Sequence, residues 1–312
     1  MKSTPEKVQR SPLILDIKGN SLDDGPGIRS VVFFKGCPLS CVWCHNPESK
    51  GSGEEISYDA KECIGCDTCL STCPRGALSR VNSLYVDRNR CDLCFACTGF
   101  CPSGALSRVG REMSIEEIAA KVIVDKPFFE TSGGGVTLSG GEPTLFMDFV
   151  SQLLSLLKTH GIGTLLETCG QFDLDRFMDR LYPYLDAIYY DIKLMDSKAH
   201  EHYCGVSNAR ILDNFTRLHA AAAADGRTLL PRIPLIPDIT DSTENITGIA
   251  GFLGCLGVKK AALLAYNPLW HEKSAKIGAD DPCRDNHLMS SWPECERLER
   301  AREIFMQAGI EP

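Results

Sequence analysis

Nothing in this 312-residue chain resembles a long apolar run. A membrane-spanning helix needs roughly 20 consecutive apolar residues, and the run nearest the start, Leu13 to Ile17, is too short even for the apolar region of a secretory signal. A basic block is missing too: 33 Lys plus Arg stand against 41 Asp plus Glu, a net charge of -8. That excludes the electrostatic footprint of a protein that binds nucleic acid or an anionic membrane. These absences predict a cytoplasmic protein whose partners are proteins and small molecules.

Cysteine is what the chain has in excess, with 16. Without an export signal, thiols stay reduced, and clustered cysteines then argue for metal rather than disulfides. Eleven of the sixteen fall in three tight motifs. The other five, Cys169, Cys204, Cys255, Cys283 and Cys295, have no ligand spacing and read as small apolar filler.

The first motif is Cys37-Pro38-Leu39-Ser40-Cys41-Val42-Trp43-Cys44, a C-x3-C-x2-C loop. A cube of four irons is ordinarily held by four thiolates, so three leave one iron open, and an open position marks a reaction centre. The other two motifs repeat each other. Cys63, Cys66, Cys69 and Cys73-Pro74 follow C-x2-C-x2-C-x3-C-P, as do Cys91, Cys94, Cys97 and Cys101-Pro102, and both copies continue Gly-Ala-Leu-Ser-Arg-Val. This is the spacing of bacterial ferredoxins, in which the fourth cysteine of each run ligates the other cluster. One 4Fe-4S cluster is therefore assigned to Cys63, Cys66, Cys69 and Cys101, its twin to Cys91, Cys94, Cys97 and Cys73. Zinc is disfavoured because zinc sites separate two ligand pairs by a longer loop.

This ferredoxin-like unit, residues 53–111, reads as an insert in a larger α/β domain of residues 14–52 and 112–312. The apolar runs Val31 to Phe34, Val136 to Leu138, Thr164 to Leu166, Ala187 to Tyr190, Leu229 to Ile236 and Ala261 to Ala265 predict six strands. Helical stretches lie between most of them. One is announced by a capping box, Ser114 with Glu117, another by the apolar spacing over Asp148 to His160, and a last one covers Glu294 to Ala308. Such alternation predicts a parallel sheet, open or rolled into a partial barrel. At the carboxyl ends of the runs lie the cysteine loop, Ser139-Gly140-Gly141-Glu142-Pro143, Glu167-Thr168-Cys169-Gly170, Asp191-Ile192-Lys193 and Asn267, with Arg232 inside the fifth. In a barrel these ends converge on one face. Each also has a plainer reading: Glu142 and Glu167 as solvated carboxylates, Asp191 with Lys193 as a surface ion pair, Trp43 as core, His200 and His202 on a solvated helix face.

The loop Cys37, Cys41, Trp43, Cys44 resembles the defining motif of the radical S-adenosylmethionine (SAM) superfamily. Asp24-Gly25-Pro26-Gly27-Ile28-Arg29 and Ser132-Gly133-Gly134-Gly135-Val136-Thr137-Leu138-Ser139-Gly140-Gly141-Glu142-Pro143 further resemble the activating enzymes of glycyl-radical enzymes, in the subgroup that carries a two-cluster ferredoxin-like insert. The resemblance implies a partial (β/α)6 TIM-like barrel and three 4Fe-4S clusters. It also implies SAM bound to the open iron, with its deoxyadenosyl radical removing a hydrogen from a glycine of a partner enzyme under anaerobic conditions. By position it puts Trp43, Cys44 and His45 beside SAM, with Gly140, Gly141 and Glu142 at its amino group. Glu167, Asp191 and Ile192 fall near the amino group, the ribose or a monovalent cation, Lys193 and Arg232 near the carboxylate, and Asn267 where the pyruvate formate-lyase activase has a histidine. Asp24, Gly25, Gly27 and Arg29 would face the partner, a glycyl-radical enzyme, and a flavodoxin or ferredoxin would supply electrons. Two other readings remain: a radical SAM enzyme with a small-molecule substrate, its extra clusters relaying electrons, and a non-catalytic electron carrier.

Overall fold

The computed structural model describes residues 11–312. Ten strands form two sheets: β1 Leu13–Ser21, β2 Arg29–Lys35, β3 Glu55–Tyr58, β4 Leu106–Val109, β5 Arg111–Glu112, β6 Gly135–Gly140, β7 Gly163–Thr168, β8 Ala187–Asp191, β9 Thr228–Leu235 and β10 Ala262–Ala265. The large sheet runs β10-β9-β8-β7-β6-β2-β1-β5. All pairings from β2 through β10 are parallel. The sheet has two unpaired edges and is therefore a partial barrel. The six expected strands all form, and each is part of this parallel stretch.

Two strands of the same sheet were not anticipated. The run at Leu13 continues to Ser21 as β1, antiparallel to β2, with irregular register between Ile14 and Asp16 and between Lys18 and Ser21. Only Leu13, Ile14 and Ser21 of this strand are buried, so its outer stretch carries polar residues and shows no apolar run. The two-residue β5 covers part of its other edge. Near the end of the chain, Glu311 makes an isolated parallel bridge to Lys260.

The central strands β6 and β7 are buried almost throughout, as strands covered on both faces must be. Helices supply that cover. Val150, Leu153, Leu154 and Leu157 on one face of the helix Met147–Thr159 have no solvent exposure. The helix Ile115–Ile123 opens with the expected capping box, Glu117 N donating to Ser114 Oγ at 3.1 Å and Ser114 N to Glu117 Oε2 at 2.7 Å. The last helix is Cys295–Gln307.

Residues from β3 to β4 lie outside the large sheet, and β3 and β4 make a small sheet of their own. The ends of this small unit are tied by the β3–β4 ladder, Glu55 opposite Val109 and Tyr58 opposite Leu106. Each cysteine run leads into a one-turn helix, Thr68–Thr72 or Ala96–Gly99, entered through a left-handed residue, Asp67 or Phe95. The sequence repeat is thus a repeat of backbone conformation. Its apolar interior is small, built from Ile56, Leu78, Tyr85, Val86 and Leu106 together with the cysteines. Fixed metal ligation would supply the order that so small a core does not. The unit is braced against the helix Trp270–Ile277 by Lys276 to Asp59 at 2.6 Å, Lys61 to Glu272 at 2.8 Å, and Arg88, which donates to the carbonyls of Ile56 and Lys276.

Candidate active site

A cavity of about 770 Å³ opens at the carboxyl ends of the parallel strands. It is lined by Cys37, Cys41, Trp43, Cys44, His45, Gly140, Gly141, Glu167, Asp191, Lys193, Arg232 and Asn267, and Asp24 reaches it from the side. Residues scattered over most of the chain meet there because parallel strands deliver their following loops to one face.

Backbone hydrogen bonds hold the cysteine loop. Gly36 N donates to Ser49 O at 2.7 Å, Cys37 N to Lys50 O at 3.1 Å, Ser40 N to Cys204 O at 2.9 Å and Val42 N to Tyr203 O at 3.0 Å. From below, Gly141 N donates to Phe34 O and Glu142 N to Gly36 O, both at 2.8 Å. Gly140 and Gly141 must be glycine for a reason internal to the fold. A Cβ on Gly141 would lie 2.2 Å from Gly36 O, and one on Gly140, where φ is +101°, would lie 2.5 Å from Phe34 N. Lys273 adds a clamp from the helix Trp270–Ile277, donating to His45 O and to Asn46 Oδ1.

Trp43 is buried in the apolar cluster under the loop with Leu39, Leu194, Ile236 and Trp270, and also lines the cavity, so the core reading and the site reading both hold. Burial pushes the Cys44 thiol up to about 12, helped by the nearby Cys41. Cys41 goes the other way, to about 7, because the Cys204 side chain hydrogen-bonds it and Lys193 favours its anion. Burial, aided by Lys273, lowers the His45 pKa.

The charged residues form one buried network. Arg232 Nε donates to Asp191 Oδ1 at 2.9 Å and its Nη1 pairs with Glu167; Lys193 Nζ donates to Asp191 Oδ2 at 3.1 Å; Ser139 Oγ donates to Glu167 Oε2 at 2.6 Å. Glu167 and Lys193 are each 9% exposed, so the solvated-carboxylate and surface-pair readings fail. Burial raises the Glu167 pKa despite Arg232 and Ser139. Burial acts likewise on Asp191, but Arg232 and Lys193 outweigh it and hold that carboxyl below its ordinary range. Burial alone would lower Lys193; Asp191 and the thiols of Cys41, Cys169 and Cys204 keep it charged.

Several expected site residues do not reach the cavity. Glu142 is fully buried, and its carboxylate accepts from Thr144 N, Thr168 Oγ1 and Cys169 N, tying the loop after β6 to that after β7. Ile192 is core. Arg29, expected to face outward, is 3% exposed and donates inward to Thr137 Oγ1 at 2.6 Å and Val136 O at 2.8 Å. Its turn packs so closely on the glycine-rich segment that a Cβ at Gly134 would lie 1.8 Å from Ile28 O. His200, read as solvated, is buried with Nδ1 2.6 Å from Val206 O, while His202 is exposed. Cys255 and Cys295 are exposed, so they are not filler. Ser139, Cys169 and Lys273 line the cavity without having been singled out as contacts.

In the small unit, Cys97 has Cys73, Cys91 and Cys94 as near neighbours, and Cys101 is a neighbour of Cys66. Backbone amides approach two of the sulfurs, Ala77 N to Cys73 Sγ at 3.3 Å and Leu106 N to Cys101 Sγ at 3.5 Å. Among the described residues no three donors are grouped to hold a single metal ion.

A roomy, charged cavity whose wall carries three thiols from one loop suits an iron–sulfur cluster with space for a further ligand. The family model for the radical SAM superfamily matches residues 88–247, and that for a 4Fe-4S binding domain matches residues 56–79. The solved radical SAM methyltransferase of Sphaerobacter thermophilus shares the fold, with a TM-score of 0.53 at 14% identity over 96% of this chain and 75% of that one. The chain belongs to the radical SAM superfamily, whose cofactors are 4Fe-4S iron–sulfur and SAM. Within it, the chain is 43% identical to the trans-4-hydroxy-L-proline dehydratase activating enzyme of Clostridioides difficile, over 65% of this chain and 68% of the relative. It is 44% identical to the (2S)-3-sulfopropanediol sulfolyase activating enzyme of Bilophila wadsworthia, over 66% and 69%. To the choline trimethylamine-lyase activating enzyme of Oleidesulfovibrio alaskensis it is 40% identical, over 68% and 69%. It is a member of the glycyl-radical enzyme activating enzymes.

Proposed function

We propose that Cys37, Cys41 and Cys44 hold a 4Fe-4S cluster at three corners, leaving the fourth iron for the amino and carboxylate groups of SAM. A cluster held there would supply one-electron reduction of the SAM sulfonium, the chemistry that breaks its C5′–S bond, releases methionine and provides a radical able to take a hydrogen from a glycine of the partner enzyme. The protein's part is to position and to exclude water. Lys193 and Arg232 place positive charge where a carboxylate would sit, and Glu167 and Asp191 place negative charge toward the amino group, the ribose or a monovalent cation. Trp43 and His45 flank the ligand space, and Asn267 closes it from the last strand. Asp24 and the turn through Gly25 and Gly27 would lie on the side by which the partner's glycine loop enters; Arg29 braces that turn from within.

Residues 53–111 form, in this reading, a ferredoxin-like domain set into a barrel of 14–52 and 112–312. Cys63, Cys66, Cys69 and Cys101 hold one further 4Fe-4S cluster and Cys91, Cys94, Cys97 and Cys73 another. The neighbourhoods of Cys97 and Cys66 support these crossed sets. A flavodoxin or ferredoxin is the electron source. Among the described residues no helix is long and apolar enough to cross a membrane.

One observation carries the reading: the three loop cysteines share a single cavity with the glycine turn and the Glu167–Arg232–Asp191–Lys193 network. The test is anaerobic incubation of the reduced, reconstituted protein with SAM and candidate glycyl-radical enzymes, among them the dehydratase and lyases for which the relatives are named. A persistent glycyl radical signal on one partner is the expected result. A modified small molecule with no protein radical would point to the metabolite-directed alternative.

A further inference from the structure

The two cysteine runs of the small unit are built alike, so the surroundings of their sulfurs can be compared position by position. Each fourth cysteine accepts from a backbone amide, Cys73 Sγ from Ala77 N at 3.3 Å and Cys101 Sγ from Leu106 N at 3.5 Å. Each run also holds one aspartate in an exposed ion pair, Asp67 with Arg80 and Asp92 with Arg75. These features match and do not set the two halves apart. One contact has no match: Tyr85 Oη lies 3.0 Å from Cys69 Sγ in the interior of the unit. The repeat shows what stands in the equivalent place. Tyr85 O accepts from Ser79 N, whereas the residue opposite Ser107, the second copy of Ser79, is Ser57, which lacks a ring to carry a hydroxyl across to a sulfur. Ser103 Oγ, 3.8 Å from Cys101 Sγ, falls in the same proposed ligand set as Cys69, and the first run has Arg75 at that position. Tyr85 is firmly held. It is 6% exposed, its ring stacks on that of Tyr58 with centroids 4.0 Å apart, and its backbone takes φ +60°. A left-handed backbone is an outlier for so bulky a side chain and persists only where the surroundings impose it.

A cysteine bound to iron is a thiolate and only accepts, so across this contact the phenol is the donor. We propose that the Tyr85 hydroxyl donates to the Cys69 sulfur and thereby makes the cluster of Cys63, Cys66, Cys69 and Cys101 the more easily reduced of the two in the small unit. Tyr85 acts through Cys69 and is a positioning residue. Reduction takes one electron from the external donor and no proton, and the phenol keeps its own. The added charge makes the sulfur a better acceptor, so the bond stabilises the reduced cluster more than the oxidised one, and hydrogen bonds to sulfur are among the levers that set such potentials. With amides and ion pairs matched between the runs, the unmatched donor decides the order, and an electron entering the unit comes to rest on this cluster. The inference rests on the two crossed ligand sets proposed above and adds a ranking of the clusters they hold.

The experiment is a redox titration of the full-length, anaerobically reconstituted protein, following the electron paramagnetic resonance signals that do not change when SAM is added. Iron per chain is measured alongside. Wild type should give two distinct midpoints for the small unit. Tyr85→Phe keeps the ring and removes only the hydroxyl. It should keep its iron and lower only the higher midpoint, so that the reduced-to-oxidised ratio of that cluster at a fixed poise falls several-fold. The ceiling is about tenfold, about 59 mV for one electron. Tyr184→Phe, in the barrel, should match wild type. Cysteine variants assign the signals: Tyr85→Phe added to Cys94→Ala should lower the remaining midpoint, and added to Cys66→Ala it should leave the remaining midpoint in place. Should a cysteine variant lose both clusters, the two midpoints of Tyr85→Phe against wild type decide alone. A single shared midpoint in wild type, unchanged midpoints in Tyr85→Phe, an equal shift of both, a shift of the lower one, or loss of iron from Tyr85→Phe overturns the inference. Failure of the ligand reading looks different: wild type would hold iron for the loop cluster only, or Cys66→Ala and Cys94→Ala would each keep both small-unit signals.

Discussion

Arg232→Met keeps an unbranched stem and removes the one cation shared by Glu167 and Asp191. Deleting one partner of a buried ion pair costs about 3–5 kcal/mol, because the other charge is left without compensation. Both carboxylates here keep a second partner, Ser139 Oγ at 2.6 Å for Glu167 and Lys193 Nζ at 3.1 Å for Asp191. The lower end, about 3 kcal/mol, is therefore expected. At about 2–4 °C per kcal/mol for larger domains, the melting temperature should fall by about 6–12 °C. The pH dependence fixes the cause. Burial already raises the Glu167 pKa, so its ionisation costs stability at neutral pH, a cost that fades as pH falls toward the unfolded carboxylate value. Without Arg232 that cost grows. Asp191, whose pKa Arg232 and Lys193 depress, contributes stability at neutral pH that is lost only on strong acidification, and the variant forfeits part of it. The Glu167 effect makes the gap between variant and wild type widest near about pH 8 and narrower near about pH 5, while the Asp191 part stays constant over that range. Calorimetry of reconstituted protein at matched scan rates would read it. An unchanged melting temperature, or a gap independent of pH, would refute the reasoning.

Gly141→Ala places a Cβ 2.2 Å from Gly36 O, so the cysteine loop must shift; the protein should purify with one cluster's iron missing while the small unit keeps its own, as read by iron per chain. Ser114→Ala removes the capping box and should cost about 1 kcal/mol, seen as faster amide exchange confined largely to Ile115–Ile123. Cys66→Ala or Cys94→Ala should lose iron and slow glycyl radical formation while SAM affinity stays unchanged; a full activation rate with iron demonstrably absent would remove any electron-transfer role from the small unit.

The central parallel strands were legible because they are covered on both faces, which leaves an unbroken apolar run such as Val136 to Leu138. Strand β1 was read only as a brief run, since beyond Ile14 it sits near the sheet edge with one side wet and its residues turn polar. The site was legible as a set of residue types at strand ends, and most of those side chains do line one cavity. What the sequence could not carry was orientation. Glu142 and Glu167 are both acidic residues after a strand, yet Glu142 ties two loops together and Glu167 faces the cavity, a choice made by Thr168 and the Cys169 amide. The same limit applies to Cys204. Its carbonyl accepts from Ser40 N across the fold, a backbone bond that no local spacing records.

The central claim is that the loop cluster has an iron free of protein ligands, and SAM binding to that iron tests it most directly. In reconstituted protein carrying an isotopically labelled amino or carboxylate group on SAM, electron–nuclear double resonance of the reduced state should detect that label coupled to the cluster. The coupling should vanish in Cys37→Ala, Cys41→Ala and Cys44→Ala and persist in Cys66→Ala and Cys94→Ala. Absence of any coupling in the wild type, with SAM bound and the loop cluster intact, would contradict the account.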